Sequence, residues 1–435
     1  MTALRDIKQY DTTQDTEIEW LGDIPAHWQL KKLKFVVQIV KRIAGREGLD
    51  VLSITQKGIK VKDVESGDGQ LAMDYSKYQF LYKGEFAMNH MDLLTGYVDI
   101  SKYDGVISPD YRVFRNCSSD VLDAYLLLIF QLGYTQRIFY KYGQGVSFLG
   151  RWRFPAGNFN SFFIPIPSLD EQQTIVDFVS RKTELIDEAI TNKENQITLL
   201  TERKEIVIQN AVTRGIDSNV EMKDSGSDWI GLIPRGWRIL PLTKYSTRVD
   251  YRGKTPEKVD EGRFLLTAKN VKDGKIDYEV SKEYIVEKQY EKVMSRGRPA
   301  IDDLLFTTEA PLGSTALVDD PTVAIAQRLI KFRLRKDIFI PEFVNSYMQT
   351  PLFQDNLQRL GTGSTALGIK ASKLFMLKII TPPLDVQKKI VLKISKERQQ
   401  IDKVIESHVA QIEKMKEYRE TLIHSAVTGK IKVAE

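Results

Sequence analysis

Two long stretches of the chain carry apolar residues three, four or seven positions apart. In the first, the spacing alternates between four and three once Thr183, Lys193 and Lys204 fill the weaker places. The first stretch, Asp170 to Thr213, and the second, Asp385 to Val427, contain neither proline nor glycine. A repeat that averages 3.5 residues predicts a long helix with a narrow apolar seam, as in a coiled coil. Because such a narrow seam needs a partner, we expect the two helices to pack on each other. Asp170, which follows Ser168, can cap the start of the first helix, and Gly215 ends it.

The central positions of the two seams are expected to face each other in an antiparallel pair. They are Ile186, Ile190, Ile197 and Leu200 in the first helix, and Ile401, Ile405, Ile412 and Met415 in the second. At 1.5 Å per residue each helix reaches roughly 65 Å, which is longer than a domain core requires. A spacer rod between two globular modules explains this length. Two core helices in separate domains are the alternative interpretation.

The rest of the chain shows short apolar runs that are separated by glycine, asparagine and aspartate, a pattern typical of strands and turns. One internal helix is predicted in each such region, near Val121–Tyr134 and Pro341–Leu360. The predicted fold class is therefore α+β, with two β-rich globular domains separated by a long antiparallel two-helix coiled coil. The predicted segments are a tail at 1–16, a first β-rich domain at 17–167, its helix at 168–215, a linker at 216–227, a second β-rich domain at 228–383 and its helix at 384–435.

The same plan is also visible as an internal sequence repeat. The segment Trp20–Trp28 returns 209 residues later as Trp229–Trp237, with both tryptophans and the Gly, Ile and Pro between them identical. At a second offset of 215 residues, Leu-Asp-x-Gln recurs at each helix start and Ala-Val-Thr at each helix end. Between these anchors the halves diverge strongly. A duplicated frame with two dissimilar inserts predicts two related domains that recognise different targets, related by a pseudo-twofold axis.

Composition and charge narrow the class of protein. Hydrophobic residues make up 42% and charged residues 28% of the chain, as in ordinary globular proteins. No run of 18 apolar residues occurs and the N-terminus has no apolar core, so we expect no membrane span and a cytoplasmic location. The net charge of +5 is only mildly basic. Basic residues nevertheless cluster after each tryptophan pair, and this recurrence favours a surface that faces phosphates. The clustered residues are Lys31, Lys32, Lys34, Lys41, Arg42 and Arg46 in the first half, and Arg248, Arg252, Lys254 and Lys258 in the second.

Motifs for catalysis are missing. One cysteine and four histidines exclude a Cys/His metal cluster, so we expect no metal in this chain. The nearest match to the Asn/Asp-Pro-Pro-aromatic motif of adenine methyltransferases is Thr381–Leu384, whose ends can neither orient an amine nor stack on a base. Cys117 follows asparagine instead of proline, which disfavours a cytosine-methylating nucleophile. The loop Gly361–Thr365 lacks the Gly-Lys-Ser/Thr ending of a nucleotide-binding loop. A glycine loop that contacts a DNA backbone is favoured there, because Gly143–Gly145 stands at the equivalent position; ordinary turns are the alternative.

The repeated motifs resemble the specificity subunit of type I restriction–modification systems. The resemblance rests on the Trp-x-Gly-x-Ile-Pro-x-x-Trp box, the Leu-Asp-x-Gln start and the Ala-Val-Thr end, each present twice and in order over nearly the whole chain. Further similar strings lie inside the variable regions, at Gly84–Asn89, Ile107–Tyr111, Asp303–Thr308 and Ala326–Arg328.

The resemblance implies two target recognition domains that bind double-stranded DNA and read an asymmetric bipartite sequence. It also implies two modification (methyltransferase) subunits as partners, joined in the full complex by restriction subunits that act as motors. S-adenosylmethionine, ATP and magnesium are then expected in those partners, with no cofactor and no catalytic residue in this chain.

Candidate base and backbone contacts are polar side chains near glycine-flanked loops. Arginine and lysine can address guanine, and asparagine or glutamine can address adenine, in the major groove. In the first domain the candidates are Lys57, Lys60, Asn89, His90, Tyr97, Ser147, Arg151 and Arg153. In the second domain they are Arg252, Lys254, Lys269, Asn270, Thr307, Thr308, Gln327, Arg328, Thr362, Ser364 and Lys370.

Three other functions stay open at the level of sequence. One is a stand-alone modifying enzyme, against which the missing catalytic motifs argue. Another is a coiled-coil adaptor whose two modules bind other ligands, including proteins. The third is the recognition subunit of a related defence complex that has no nuclease.

Overall fold

The computed structural model describes residues 8–64, 74–145, 152–217, 219–252, 256–326, 328–363 and 367–433. The chain forms two compact units. The first comprises Met1–Lys193 together with Val409–Glu435, and the second comprises Glu194–His408. Each unit therefore combines chain from both halves of the sequence. This division cuts through both long helices, unlike the linear boundaries expected from the sequence, because each unit contains the start of one long helix and the end of the other.

The first unit is built on a four-stranded antiparallel sheet in the order β4-β11-β8-β9. Its strands are β1 (Thr13–Asp15), β2 (Asp23–Pro25), β3 (Gln29–Lys32), β4 (Val37–Val40), β5 (Leu52–Thr55), β6 (Gly58–Val61), β7 (Gln79–Leu81), β8 (Phe86–Met88), β9 (Val98–Ile100), β10 (Gly105–Ile107), β11 (Arg112–Asn116) and β12 (Phe163–Ile166). Its helical elements are a 3₁₀ turn at Leu33–Phe35, α1 (Asp123–Thr135), α2 (Ile138–Lys141), α3 (Ala156–Ser161) and the first part of α4 (Leu169–Arg214).

The second unit contains a sheet of the same kind, in the order β16-β24-β21-β22. Its strands are β13 (Met222–Asp224), β14 (Leu232–Pro234), β15 (Arg238–Pro241), β16 (Ser246–Asp250), β17 (Arg263–Leu266), β18 (Val271–Lys272), β19 (Lys275–Ile276), β20 (Tyr284–Ile285), β21 (Leu304–Thr308), β22 (Leu312–Leu317), β23 (Ala324–Ile325), β24 (Leu329–Leu334) and β25 (Lys378–Thr381). Its helices are α5 (Tyr290–Val293), α6 (Pro341–Met348), α7 (Pro351–Leu360) and α8 (Leu384–Val427), with 3₁₀ turns at Leu242–Lys244, Ala268–Asn270, Glu287–Gln289 and Ala371–Met376.

The two units share the topology of the main sheet but differ in the further strands that pack on it. In both, the strand before the long helix pairs with the strand after the tryptophan box, as β12 with β3 and β25 with β15. The first unit adds the hairpin β5–β6 and the antiparallel pair β7–β10. The second unit instead adds the sheet β20-β17-β23 and the hairpin β18–β19, with an apolar core of their own. The α+β fold with a repeated frame and unlike inserts is therefore confirmed.

Both long helices form over nearly the expected residues. Helix α4 starts at Leu169, and the Ser168 hydroxyl accepts a hydrogen bond from the Glu171 amide at 3.3 Å. The cap is therefore Ser168 and not Asp170, which already lies in the first turn. The internal helix of the second unit is split into α6 and α7 because Pro351 cannot continue α6.

Within each unit the two long helices run antiparallel. In the first unit, Ile175 and Val179 of α4 share a core with Ala426 and Val427 of α8, and farther along an ion pair joins Asp187 to Arg419. In the second unit, residues near the end of α4 share a core with residues near the start of α8, and an ion pair joins Lys204 to Asp402. Among the expected seam residues, Ile190, Ile401 and Ile412 are buried, and Ile186, Ile197, Leu200, Ile405 and Met415 are partly buried.

The repeated Trp and Ala-Val-Thr motifs meet inside each unit. In the first unit Trp28 of the box is buried in one core with Ala426 and Val427 at the end of α8. In the second unit Trp237 is buried in one core with residues at the end of α4. The glycine after each helix allows this approach: a Cβ at Gly429 would lie 2.3 Å from Pro25, and one at Gly215 3.3 Å from Trp237. Both glycines also have positive φ, which favours glycine.

The glutamine of each Leu-Asp-x-Gln motif is fully buried and joins the long helix to the internal helix. Gln172 accepts a hydrogen bond from the Leu122 amide at 2.8 Å and donates to the carbonyls of Asp120 and Pro167. Gln387 accepts from the Ile340 amide at 2.8 Å and donates to two carbonyls in the same way. The recurrence of this motif is therefore explained by a structural role.

We predict that Gln172→Leu destabilises the first unit by about 3 kcal/mol. Leucine fills similar space but leaves one backbone amide and two carbonyls without their partner, and each buried unsatisfied group costs about 1–3 kcal/mol. The calorimetric unfolding midpoint of that unit should fall by roughly 6–12 °C. The control is Gln173→Leu, because Gln173 is exposed and bonds only Asp177 one turn away. Equal midpoints for the two variants would contradict the role given to Gln172.

Candidate functional site

A polar cavity of about 280 Å³ opens at one end of the main sheet of the second unit. Its walls come from the end of β21, the turn before β24 and the loop after α7. The lining residues are Arg252, Thr308, Glu309, Arg328, Thr362, Gly368, Ile369 and Lys370. Five of the candidates from the sequence are brought together here, namely Arg252, Thr308, Arg328, Thr362 and Lys370.

Backbone hydrogen bonds hold the three walls of this cavity in place. The Thr308 amide donates to the Arg328 carbonyl at 2.9 Å, and the Ile369 amide donates to the Thr308 carbonyl at 3.0 Å. Thr362 and Gly368 exchange two bonds, of 2.8 and 3.0 Å, across the loop. The polar side chains therefore project from a fixed backbone, which suits a recognition site.

Two ion pairs set the electrostatics of the cavity. Arg252 donates to both carboxylate oxygens of Asp250, at 2.9 and 3.0 Å from Nε, and from Nη1 to the Ile369 carbonyl at 2.9 Å. Burial raises the pKa of Asp250, but the hydrogen bonds and charge of Arg252 outweigh it, so this pKa is lowered overall. Arg328 Nε lies 3.1 Å from Oε1 of Glu309. Arg252 thus holds the loop that contains Ile369 in place. The Arg328 and Glu309 side chains are about half exposed and remain accessible to a ligand.

In the first unit, the segments equivalent to the walls of this cavity carry different side chains. Here the Phe154 amide donates to the His90 carbonyl at 2.8 Å, and Gln144 and Arg153 exchange two bonds across the loop. His90 thus stands where Thr308 stands in the second unit, and Arg153 where Gly368 stands. The Asn89 carbonyl accepts a bond from the Tyr134 hydroxyl at 2.7 Å. The same backbone geometry therefore carries an imidazole and a guanidinium in one unit, and a buried threonine and a glycine in the other.

In the first unit a buried arginine bonds the segment that pairs with His90. Arg112 is 5% exposed, donates to the Phe154 carbonyl at 2.9 Å and lies over the Phe159 ring at 4.5 Å. Burial lowers the pKa of its guanidinium to about 10. Burial, together with the charges of Arg112 and Arg153, lowers the pKa of His90 to about 4. His90 is therefore neutral at pH 7.

The remaining candidates are spread over both units. Lys57 and Lys60 are exposed on the β5–β6 hairpin, and Lys269 is exposed in the 3₁₀ turn before β18. Tyr97 is partly buried, with its ring 6.3 Å from that of Tyr134. Five candidates lie outside the described residues, namely Ser147, Arg151, Lys254, Gln327 and Ser364.

Three candidates are corrected by the structure because their side chains are buried and used internally. Thr308 is 1% exposed, and its hydroxyl donates to the Arg328 carbonyl at 3.1 Å. Asn270 forms a capping box with Thr267 and donates to the carbonyls of Asp277 and Ser281, both at 2.9 Å. The Thr307 hydroxyl accepts from the Ser314 amide at 2.8 Å. None of these three side chains can contact a base while it keeps these bonds.

The phosphate-facing surface expected after each tryptophan pair stays a prediction, and the structure shows that acids of the protein pair with part of it. Several of the clustered cations are engaged by acids: Lys31 by Asp120, Arg42 by Glu85, Arg252 by Asp250 and Lys258 by Glu283. A cation paired in this way must break its ion pair before it can neutralise a phosphate fully. The sequence could not show this, because the pairing acids in the first half lie more than 40 residues away.

Glu309 is the cavity residue that sequence reasoning missed. It follows Thr308, bridges to Gly368 on the neighbouring segment and presents a partly exposed carboxylate beside Arg328. None of the candidates from the sequence is an acid, since one acid among 58 carries no distinguishing spacing. Among the described residues, no group of three or more His, Cys, Asp or Glu side chains is placed to hold a metal ion. No described helix has the length and apolarity to span a membrane.

Comparison with known proteins identifies the family. The family model of the type I restriction modification DNA specificity domain matches residues 27–199 and 258–414. The putative type I restriction enzyme MjaX specificity subunit of Methanocaldococcus jannaschii is 21% identical, with all of both chains covered. The EcoKI specificity subunit of Escherichia coli K12 is 25% identical over 46% of this chain and 44% of its own length.

Solved structures share the fold. A chain from a type I R-M system, solved to explain complex assembly and conformational transition, superposes with a TM-score of 0.69 at 16% identity, covering 93% of this chain and 98% of that one. The HsdS subunit from Thermoanaerobacter tengcongensis gives 0.53 at 16% identity, over 94% and 98% of the two chains.

We predict that His90→Gln makes the first unit less sensitive to acid. Between pH 6.5 and about 4 the unfolded chain binds a proton at His90 that the folded chain excludes. The folded state therefore loses stability as pH falls through this window, by up to about 1.4 kcal/mol per pH unit for this group. Between pH 7 and pH 5, the unfolding midpoint of the native chain should fall further than that of the variant. Equal falls would show that His90 takes up its proton in the folded state.

Proposed function

Since the chain belongs to the type I restriction–modification DNA specificity family, it is a DNA sequence-specificity subunit, and we propose that it reads an asymmetric bipartite target. Each unit reads one half-site in this proposal. The observation that carries it is the pair of sheets with one strand order and unlike loops. The same backbone place holds His90 and Arg153 in one unit and Thr308 and Gly368 in the other, where Glu309 follows Thr308, so the two half-sites differ in sequence.

The chain acts within a larger complex in this proposal and is itself not catalytic. Two modification subunits bind it and supply S-adenosylmethionine and the adenine-methylating residues. Restriction subunits, which use ATP and magnesium, complete the complex. The cytoplasm, where the DNA lies, is the proposed location. The family membership and the absence of methyltransferase and nucleotide-binding motifs in the sequence support this division of labour.

Phosphate contacts are expected from exposed cations near the cavity that have no acid partner in the structure described. Lys370 lines the cavity mouth, is exposed and forms no ion pair within the described part of the chain. It can therefore release counterions from DNA without first losing a protein contact.

The decisive experiment exchanges one recognition domain. Residues 17–167 are replaced by the corresponding segment of another member of the family, and methylated positions are mapped by sequencing in cells that also contain the partner subunits. We expect one half-site to change and the other to be retained, because the second unit keeps its own loops and its own core. A change in both half-sites together would contradict independent reading by the two units.

We also predict that Lys370→Ala weakens binding to all duplexes. Loss of one phosphate contact should reduce the slope of log K against log salt by about 0.9. Anisotropy titrations of the full-length chain between 50 and 200 mM salt measure this slope. Lys292→Ala, which removes an exposed lysine from α5, is the control and should leave the slope unchanged. An unchanged slope with an altered sequence preference would assign Lys370 to a base instead.

A further inference from the structure

We propose that Arg328 and Glu309 act as one reader of a G·C base pair in the half-site of the second unit. The proposal rests on the proposed function and names residues that determine its specificity. Arg328 and Glu309 line one polar cavity, and Lys370 and Thr362 line it with them.

The pair offers donors and an acceptor side by side. Nε of Arg328 lies 3.1 Å from Oε1 of Glu309, so one edge of the guanidinium is occupied. The two terminal nitrogens still have hydrogens to donate, and Oε2 of the carboxylate still accepts. The side chains are 49% and 44% exposed, so both remain accessible to a ligand.

This order of groups matches one base pair better than the others. The major-groove edge of a G·C pair presents two acceptors, N7 and O6 of guanine, followed by the N4 amine of cytosine as a donor. Arginine bonds the two adjacent acceptors, and the carboxylate beside it accepts from the amine. An A·T pair presents acceptor, donor and acceptor in turn, so the two arginine donors find no adjacent acceptors there.

The backbone holds both residues before any ligand arrives. Arg328 has φ of +74°, a left-handed conformation that costs a non-glycine residue of order 1–3 kcal/mol. The buried Thr308 fixes this turn, since its amide and its hydroxyl both donate to the Arg328 carbonyl, at 2.9 and 3.1 Å. Glu309 follows Thr308 directly and bridges to Gly368. Thr308 therefore positions both members of the pair.

A phosphate contact and a purely structural ion pair explain the arrangement less well. The Glu309 carboxylate would repel a phosphate placed at Arg328. Lys370, which lines the same cavity and forms no ion pair within the described residues, suits a phosphate better. A half-exposed ion pair contributes only about 0–1 kcal/mol to stability. This contribution does not exceed the cost of the left-handed backbone at Arg328. Recognition of a base pair uses both charges and the strained geometry.

The test is selection of random-sequence duplexes by the full-length chain, purified with any subunits that accompany it. The variants are Glu309→Gln, which replaces one acceptor oxygen by a donor, and Arg328→Lys, which keeps the charge but loses the paired donors. The control is Glu291→Gln, which alters the exposed Arg298–Glu291 pair of the same unit.

The native chain and the control should enrich one bipartite motif with a G·C pair in the second half-site. Both test variants should lose about 10- to 100-fold of the discrimination at that single position and keep the others. An unchanged G·C preference overturns this inference, and so does equal relaxation of the whole half-site, which would make the pair a scaffold. If the native chain enriches no motif, the proposed function itself fails.

Discussion

The burial of a tryptophan against the end of a long helix is the contact on which each unit depends. Trp28 packs with Ala426 and Val427, and Trp237 with Ala211 and Val212. In both cases the box and the helix end come from opposite halves of the sequence. Neither half can complete its own core, so the two halves must fold together. This constraint explains why the box, the Leu-Asp-x-Gln start and the Ala-Val-Thr end recur while the segments between them diverge.

The shared frame leaves the loops free to vary. The sheet, the buried glutamine and the helix end provide the stability of each unit. The carbonyls of His90 and Thr308 accept equivalent backbone bonds, from the amides of Phe154 and Ile369. Side chains that line the cavity next to these places, such as Glu309 and Arg328, are held by this frame. A substitution among the exposed side chains that line the cavity therefore changes the chemistry offered to a ligand at little cost to the fold. Specificity can then diverge between units that remain structurally alike.

The repeat and the 3.5-residue seam were enough to predict the fold class and the long helices, because both depend on regular spacing along the chain. The candidate site was harder to predict. Arg252, Arg328, Thr362 and Lys370 were chosen one by one, and the structure brings them to one cavity. Asn270 was misjudged because its partners Asp277 and Ser281 belong to a local turn that no periodicity marks. Glu309 was missed because its significance depends on Arg328, which folding alone brings to it.

The internal pairing of cations bears on how this chain can discriminate between DNA sequences. Unpaired cations attract every phosphate and so raise affinity for all duplexes alike. In the second unit, Arg252 is neutralised by Asp250 and Arg328 by Glu309. A paired arginine gains little from a phosphate but still gains from a base edge that satisfies both its donors and the neighbouring acceptor. Pairing therefore lowers non-specific affinity more than specific affinity, which widens the ratio between them. For a subunit whose role is specificity, that ratio matters more than the strength of binding.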